Sequence, residues 1–223
     1  MFLGALIDAG FSMENLQSEL AKLQLTDYEV DAKPVSKNGI RAVKAIVRVS
    51  PDQPHRGLGD IEQIIEASTL DDPVKSNSLQ AFRLLAEAEA KIHGTTPEKI
   101  HFHEVGAMDA IIDVVGTMAG LAALGISKLY CSPLNVGGGT VTCAHGTLPV
   151  PAPAVLELLT GVPIYSSGIN HELLTPTGAV ILKTRAESFG PLIPIRPGTV
   201  GCGAGSADLC IPNVLRLIVG EAA

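Results

Sequence analysis

The segment from Ala107 to Leu124 constrains the fold more than any other part of the chain. Its spacing predicts a helix that ends at Gly125, and this helix is apolar on nearly every face. A helix of this kind is stable only when other elements cover it on all sides. The remaining helices and strands must therefore pack around residues 107–124.

The rest of the chain alternates between helical and extended patterns. Apolar spacing and capping residues predict further helices at Phe2–Ala9, Met13–Leu23, Leu58–Ser68, Pro73–His93, Pro151–Leu159 and Pro176–Ser188. Asn38-Gly39 predicts a β-hairpin, and the predicted strands are Tyr28–Pro34, Gly39–Ser50, Lys99–His103, Leu129–Leu134, Thr140–Cys143 and Val214–Val219. The pattern predicts an α/β fold, with α+β as the alternative, in which helices flank a mixed sheet.

The distribution of charge divides the chain into two parts. Residues 1–98 form a helical and hairpin part, and residues 99–223 form an α/β part with metal and anion motifs; one continuous domain is the alternative. Leu129 to Leu156 contains no Asp, Glu, Lys or Arg and is rich in Gly and Pro. We expect this stretch to form interior strands and tight loops.

Composition excludes several classes of protein. Hydrophobic residues make up 46% of the chain and charged residues 17%, which is typical of a folded protein. The net charge of -7 argues against a nucleic-acid partner, and no apolar run is long enough to span a membrane. The first residues lack the pattern of a secretory signal, so the sequence predicts a cytoplasmic protein with reduced cysteines.

The densest polar cluster is HFHEVGAMDAIID, residues 101–113. His101 and His103 would share one face of a strand, and Asp109 and Asp113 share one face of the following helix. A buried carboxylate normally protonates, pairs or binds a metal, and no Lys or Arg occurs between Lys99 and Lys128. Two imidazoles beside two carboxylates fit a divalent transition-metal site. The alternative is that Asp109 stabilises the helix start while the histidines bond to backbone.

A second cluster combines a thiol and an imidazole with a glycine run. Cys143 and His145 are two residues apart, a pair that suits nickel, zinc or copper, although a small buried thiol explains Cys143 as well. The glycine loop before them is a candidate anion-binding nest or, alternatively, a tight bend; it comprises Gly137, Gly138 and Gly139.

Two further segments are candidate phosphate sites. Thr175 and Pro176 form a helix start whose amides, on Thr177 and Gly178, suit a phosphate, although most such starts are only capped helices. His55-Arg56 precedes another helix start and offers an imidazole and a guanidinium, with a solvated loop as the alternative.

Six ordered motifs resemble the LarC family of nickel insertion proteins. They are HRGLGDIEQII, HFHEVGAMDAIIDVVG, CAHGTLPVPAPAVLELL, ELLTPTGAVIL, GCGAGSAD and PNVLRLIVGE, and the likeness covers nearly the whole chain. The resemblance implies a lyase-type enzyme, a CTP-dependent cyclometallase that uses Mg or Mn. It would insert nickel into pyridinium-3,5-bisthiocarboxylic acid mononucleotide, making the nickel-pincer cofactor of lactate racemase.

The chemistry of the residues suggests their roles in this reaction, and the resemblance implies the partners. Glu104 and Asp113 are the candidate catalytic groups, with Glu104 as the base for the ring proton that is lost when carbon is metallated. The predicted nickel ligands are His101, His103, Asp109, Asp113, Cys143 and His145. The implied downstream partner is the lactate racemase apoprotein, and a homo-oligomer is the assembly that we consider.

This chain departs from the family pattern at both ends. The family's acidic N-terminal segment precedes the position of Met1, and its C-terminal domain, associated with CTP, follows the region that resembles PNVLRLIVGE. We therefore expect the chain to be inactive alone and to need the missing C-terminal domain. Two alternatives remain, a metal-dependent phosphoester hydrolase and a non-catalytic nickel-binding module.

Overall fold

The computed structural model describes residues 1–50, 56–100, 102, 108–143 and 145–222. The helices are α1 (Phe2–Asp8), α2 (Met13–Ala21), α3 (Leu58–Ala67), α4 (Asp72–His93), α5 (Met108–Ala123), α6 (Pro153–Leu158) and α7 (Pro176–Arg185). The strands are β1 (Tyr28–Lys37), β2 (Ile40–Val49), β3 (Leu129–Cys131), β4 (Leu134–Asn135), β5 (Thr140–Cys143), β6 (Gly146–Pro149), β7 (Ile164–Tyr165), β8 (Ala186–Phe189), β9 (Ile195–Ala204) and β10 (Val214–Ala222). Among these described residues, no helix has the length and apolarity that crossing a bilayer requires.

A four-stranded mixed sheet in the order β1-β2-β9-β10 is the largest sheet of the described chain. β1 and β2 are antiparallel, β9 and β10 are antiparallel, and β2 runs parallel to β9. Asn38 and Gly39 both have positive φ at the β1–β2 turn, as the hairpin prediction requires. Helices flank this sheet, which confirms the predicted fold class. The sheet takes strands from both parts of the chain, and the division near residue 98 stays a prediction.

α5 lies at the centre of the hydrophobic core, as its sequence predicts. From Met108 to Leu121, every residue except Asp109 and Asp113 is buried. The core extends from Leu3 in α1 to Leu182 in α7. α5 contacts α1, α2, α4, α7 and β2. Cover on all sides is what an apolar helix needs in water.

α1 packs unusually close to the sheet. A Cβ atom on Gly203 would collide with the Met1 carbonyl oxygen and would lie 2.6 Å from the Ala5 nitrogen. A Cβ atom on Gly4 would collide with the Val43 carbonyl oxygen in β2. Glycine at these positions allows the backbones to approach. Asp8 strengthens the contact, because its Oδ2 accepts a hydrogen bond from the Cys202 backbone nitrogen at 2.9 Å.

Two sequence predictions about strands and helices are wrong. Lys99 ends a 3-10 turn, Pro97–Lys99, and neither Ile100 nor Phe102 lies in a strand. Proline fixes φ near the helical value, which favours the turn; the other positions of this predicted strand lie outside the described residues. α7 ends at Arg185, because β8 begins at Ala186 and pairs with β3.

The uncharged stretch is not uniformly interior. In the β5–β6 hairpin, exposed and partly buried residues alternate, and Thr140, Thr142 and Thr147 are exposed. Threonine hydroxyls and backbone groups can be solvated without any charge, so the absence of Asp, Glu, Lys and Arg did not require burial.

Candidate functional site

Asp113 lies in the second turn of α5 and its side chain is partly buried. Burial raises the pKa of the Asp113 carboxyl; the amino terminus at Met1 opposes this rise, and the Asp109 carboxylate adds to it. A carboxyl whose charged form is disfavoured gains by holding a proton or by binding a cation. Asp113 is therefore suited to either role.

The position of Asp113 follows from two glycines further along the same face of α5. A Cβ atom on Gly116 would lie 2.9 Å from Leu3 Cδ2, and one on Gly120 would lie 2.9 Å from Leu6 Cδ1. These small residues let α1 pack directly on α5. The first residues of α1 consequently lie next to Asp113, which accounts for the electrostatic influence of the Met1 amino group.

Asp109 occupies the first turn of α5 and is exposed. Its Oδ1 accepts a hydrogen bond from the Ala110 nitrogen at 2.9 Å. This local bond agrees with the alternative that Asp109 stabilises the helix start. A metal-binding role for its exposed carboxylate stays a prediction.

The structure brings together two motifs that are distant in sequence. The Phe102 nitrogen donates to the Arg56 carbonyl oxygen at 3.4 Å, and a Cβ atom on Gly57 would lie 3.3 Å from the Ile100 oxygen. Arg56 and Gly57 thus lie beside Ile100 and Phe102. The predicted site residues His55, His101, His103 and Glu104 lie outside the described residues.

The β5–β6 hairpin carries the predicted thiol and imidazole pair. Cys143 is partly buried and pairs with Gly146 across the hairpin, whereas His145 is exposed in the turn. The His145 ring packs against His93, with the ring centroids 4.9 Å apart. Sequence reasoning missed His93, because a histidine in the last turn of a helix is normally explained by the helix dipole.

The glycine loop is hydrogen-bonded to the segment around His171. The Gly138 nitrogen donates to the His171 oxygen at 3.3 Å, and the Gly137 nitrogen donates to Asn135 Oδ1 at 3.3 Å. Gly137 and Gly139 have φ of 81° and 82°, which favours glycine. These bonds are those of a tight bend, the alternative left open from sequence, and the phosphate role stays a prediction.

Thr175 is the N-cap of α7, as predicted. Its Oγ1 accepts a hydrogen bond from the Gly178 nitrogen at 3.3 Å. One of the two amides that the sequence offered to a phosphate is therefore used in capping. A ligand role for Thr175, Thr177 and Gly178 stays a prediction.

The described residues do not themselves complete a metal centre. Within 1–50, 56–100, 102, 108–143 and 145–222, no group of three or more His, Cys, Asp or Glu side chains is arranged to hold a metal ion. The predicted set includes His101 and His103, which are outside these ranges.

Comparison with known proteins identifies the family. A family described as "Nickel insertion protein" matches residues 1–223. The chain belongs to this family.

Two relatives come from Desulfitobacterium hafniense strains DCB-2 and Y51, and both are called pyridinium-3,5-bisthiocarboxylic acid mononucleotide nickel insertion protein. Each is 54% identical over 223 residues, covering 100% of this chain and 56% of the relative. The chain thus spans little more than half the length of the curated relatives it matches. No solved structure matches it.

The described chain contains side chains of the types that nickel binds. Imidazole and carboxylate groups are ligands that nickel accepts. The chain places a partly buried carboxyl with a raised pKa, Asp113, in α5, and a pair of imidazoles, His93 and His145, at the surface.

Proposed function

We propose that this chain forms the nickel-handling part of an enzyme that inserts nickel into pyridinium-3,5-bisthiocarboxylic acid mononucleotide. Membership of the nickel insertion family supports the reaction class. The observation that carries the assignment of a site is Asp113, a partly buried carboxyl with a raised pKa at the core of the fold. Perturbed carboxyls of this kind concentrate at functional sites.

The proposed metal site lies at the N-terminal end of α5. Asp113 and the exposed Asp109 would supply carboxylate oxygens, and His101 and His103 would supply imidazole nitrogens. The described neighbours of His101 in sequence, Ile100 and Phe102, have buried side chains. Mixed nitrogen and oxygen ligation suits nickel and leaves positions for the sulfur atoms of the substrate.

Insertion of nickel at a ring carbon also needs a proton acceptor. A carbon–hydrogen bond breaks, the carbon–nickel bond forms with the same electron pair, and the proton leaves. A base works best when its pKa is near the working pH, and burial moves the pKa of Asp113 upward in that direction. We propose that Asp113 or Glu104 takes this proton, whichever of the two is not bound to the metal.

The nucleotide requirement belongs to the rest of the enzyme in this proposal. CTP with Mg or Mn would bind the region of the relatives that this chain does not span. In this chain the Gly137, Gly138 and Gly178 amides already donate within the protein, which supports placing CTP elsewhere. We further propose a cytoplasmic, lyase-type enzyme whose product is delivered to the lactate racemase apoprotein, with a homo-oligomer as the assembly.

The experiment compares the chain alone with the chain supplemented by the remaining region of the Desulfitobacterium relative. Nickel, CTP, magnesium or manganese and the dithiocarboxylate precursor are added, and activation of lactate racemase is measured. We expect activation only in the supplemented mixture, and none with Asp113→Asn. Leu192→Ser is the matched control and should stay active, because Leu192 is 73% exposed.

Three results would contradict the proposal. Full activation with Asp113→Asn would remove Asp113 from the mechanism. Hydrolysis of phosphoesters by the chain without the pincer precursor would favour the hydrolase alternative, and nickel binding without turnover in the supplemented mixture would favour the non-catalytic module.

A further inference from the structure

Two histidines from distant parts of the chain face each other at the surface. His93 is the last residue of α4, and His145 lies in the turn between β5 and β6. The ring centroids are 4.9 Å apart and the ring planes are inclined by 37°. The His93 side chain is 37% exposed and His145 is exposed, so solvent reaches both rings.

This separation is compatible with binding of one metal ion by both imidazoles. A metal lies about 2.1 Å from the bound nitrogen, and therefore roughly 3.2 Å from the ring centroid. Two such rings at about 100° around the metal have centroids about 4.9 Å apart. The distance between the two rings therefore fits one shared cation.

Glu89 is placed to orient one of the rings. It lies one turn before His93 on the same face of α4, and its Oε2 is 3.5 Å from His93 Nε2. Metal-bound histidines usually direct their second ring nitrogen to a carboxylate or carbonyl. With Nε2 turned towards Glu89, the Nδ1 atom of His93 is the nitrogen available to a metal.

The electrostatic surroundings also favour a cation. The pair lies at the C-terminal end of the long helix α4, where the helix dipole is negative. Lys91 is the nearest cationic side chain along this turn. Its Nζ bonds to Glu157 Oε1 in α6 at 2.6 Å, which directs its charge away and neutralises it.

We propose that His93 and His145 form an exposed docking site for a divalent transition-metal ion, with Glu89 as a positioning residue. The protein supplies two imidazoles, and water or an incoming metal carrier completes the coordination. Such an open site exchanges its ion readily, as a transfer step before the Asp113 site would require. The choice of nickel as the ion rests on the proposed function; the site itself rests on the geometry of the histidine pair.

The test uses nickel chloride titrated into the full chain, with calorimetry for affinity and NMR of the histidine ring protons for location. We expect paramagnetic broadening of His93 and His145 at low nickel. His93→Gln with His145→Gln should abolish that phase of binding, and each single variant should weaken it about tenfold or more. His171→Gln, which removes another exposed imidazole, is the matched control and should leave binding unchanged.

The Glu89→Gln variant distinguishes an effect of Glu89 on the orientation of the His93 ring from an effect on folding. We expect about tenfold weaker nickel binding with an unchanged unfolding temperature, and a retained His93–His145 pair. Unchanged nickel affinity in the double histidine variant, or broadening confined to other residues, would overturn the inference. If the double variant is poorly folded, the two single variants decide. Nickel affinity equal to that of the parent chain in both single variants would also overturn the inference.

Failure of this site and failure of the proposed function are distinguishable. Asp113→Asn should keep nickel broadening at His93 and His145 while losing insertion. If the supplemented chain inserts nickel but His93 and His145 do not bind nickel, only the docking site is refuted. A histidine pair that binds nickel in a supplemented mixture that never metallates the precursor would refute only the proposed function.

Discussion

At the scale of single residues, the surroundings of a side chain decide its chemistry more than its identity does. Asp109 and Asp113 are both aspartates one turn apart on α5. Asp109 is exposed and bonds to the Ala110 nitrogen, whereas Asp113 is partly buried and has a raised pKa. Spacing placed the two on one face, but burial of Asp113 within the folded chain makes them differ.

The raised pKa of Asp113 makes the stability of the metal-free chain depend on pH. At a pH below the pKa of this carboxyl in the unfolded chain, near 3.8, the carboxyl is protonated in both the folded and the unfolded state. Its burial then does not lower the stability of the fold. As pH rises through the higher pKa of the folded state, the unfolded chain releases the proton more readily, so folding stability falls. We expect Asp113→Asn to raise the unfolding temperature at pH 7 in EDTA, and the gain to vanish near pH 3.

Thermal melts from pH 3 to pH 8 check this expectation, with Asp109→Asn as the control. The exposed Asp109 should show little pH-dependent gain on substitution. An Asp113→Asn variant less stable than the parent at pH 7 would show that the ionised carboxylate is stabilised in the fold, contrary to the effect of its burial.

At the scale of elements, glycines set the distance between layers. α1 lies against β9 with Gly203 between the backbones, and Gly201 makes a similar approach to Ala5 and Ala9. No side chain larger than hydrogen fits there. The strand β9 therefore carries residues of low strand propensity, because close packing of α1 requires them.

Gly203→Ala is expected to destabilise the chain strongly. Its Cβ atom would meet the backbone at Met1 and Ala5, which cannot move aside as a flexible side chain can. We expect a loss of roughly 3 kcal/mol or more in the free energy of unfolding, measured in urea.

Gly59→Ala is the matched control. Gly59 lies in the first turn of α3, and a Cβ atom there would meet nothing within 4 Å. Alanine's higher helix propensity should give a gain of up to about 1 kcal/mol. Equal effects of the two substitutions would show that the α1–β9 contact is looser than the structure indicates.

At the scale of the whole molecule, one core and one sheet draw on both parts of the chain. β1 and β2 come from the first part, and β9 and β10 come from the second. The core likewise includes Phe11 and Leu182. The two halves of the sheet meet where β2 pairs with β9.

We expect a single cooperative unfolding transition for this reason. Far-UV circular dichroism and the fluorescence of the tyrosines Tyr28, Tyr130 and Tyr165, which lie in both parts, should report the same midpoint in urea. Two separated midpoints would instead support independent units divided near residue 98.

The sequence by itself determined the features that depend on neighbouring residues. Ser12 caps α2, Thr175 caps α7, and Asn38-Gly39 turns the hairpin, because each arises from local hydrogen bonds and backbone preferences. The apolar surface of α5 likewise required burial, and the ordered motifs indicated the family. Most of the helices were predicted to within a few residues.

Only the tertiary structure decided the features that depend on distant parts of the chain. The strand β9 was missed because its glycines and proline argue against a strand until α1 is packed on it. The contact between His93 and His145, and the raised pKa of Asp113, also arise from packing between elements. Local patterns specify helices, turns and caps, whereas long-range contacts and burial fix which side chains meet and how strongly each holds its proton.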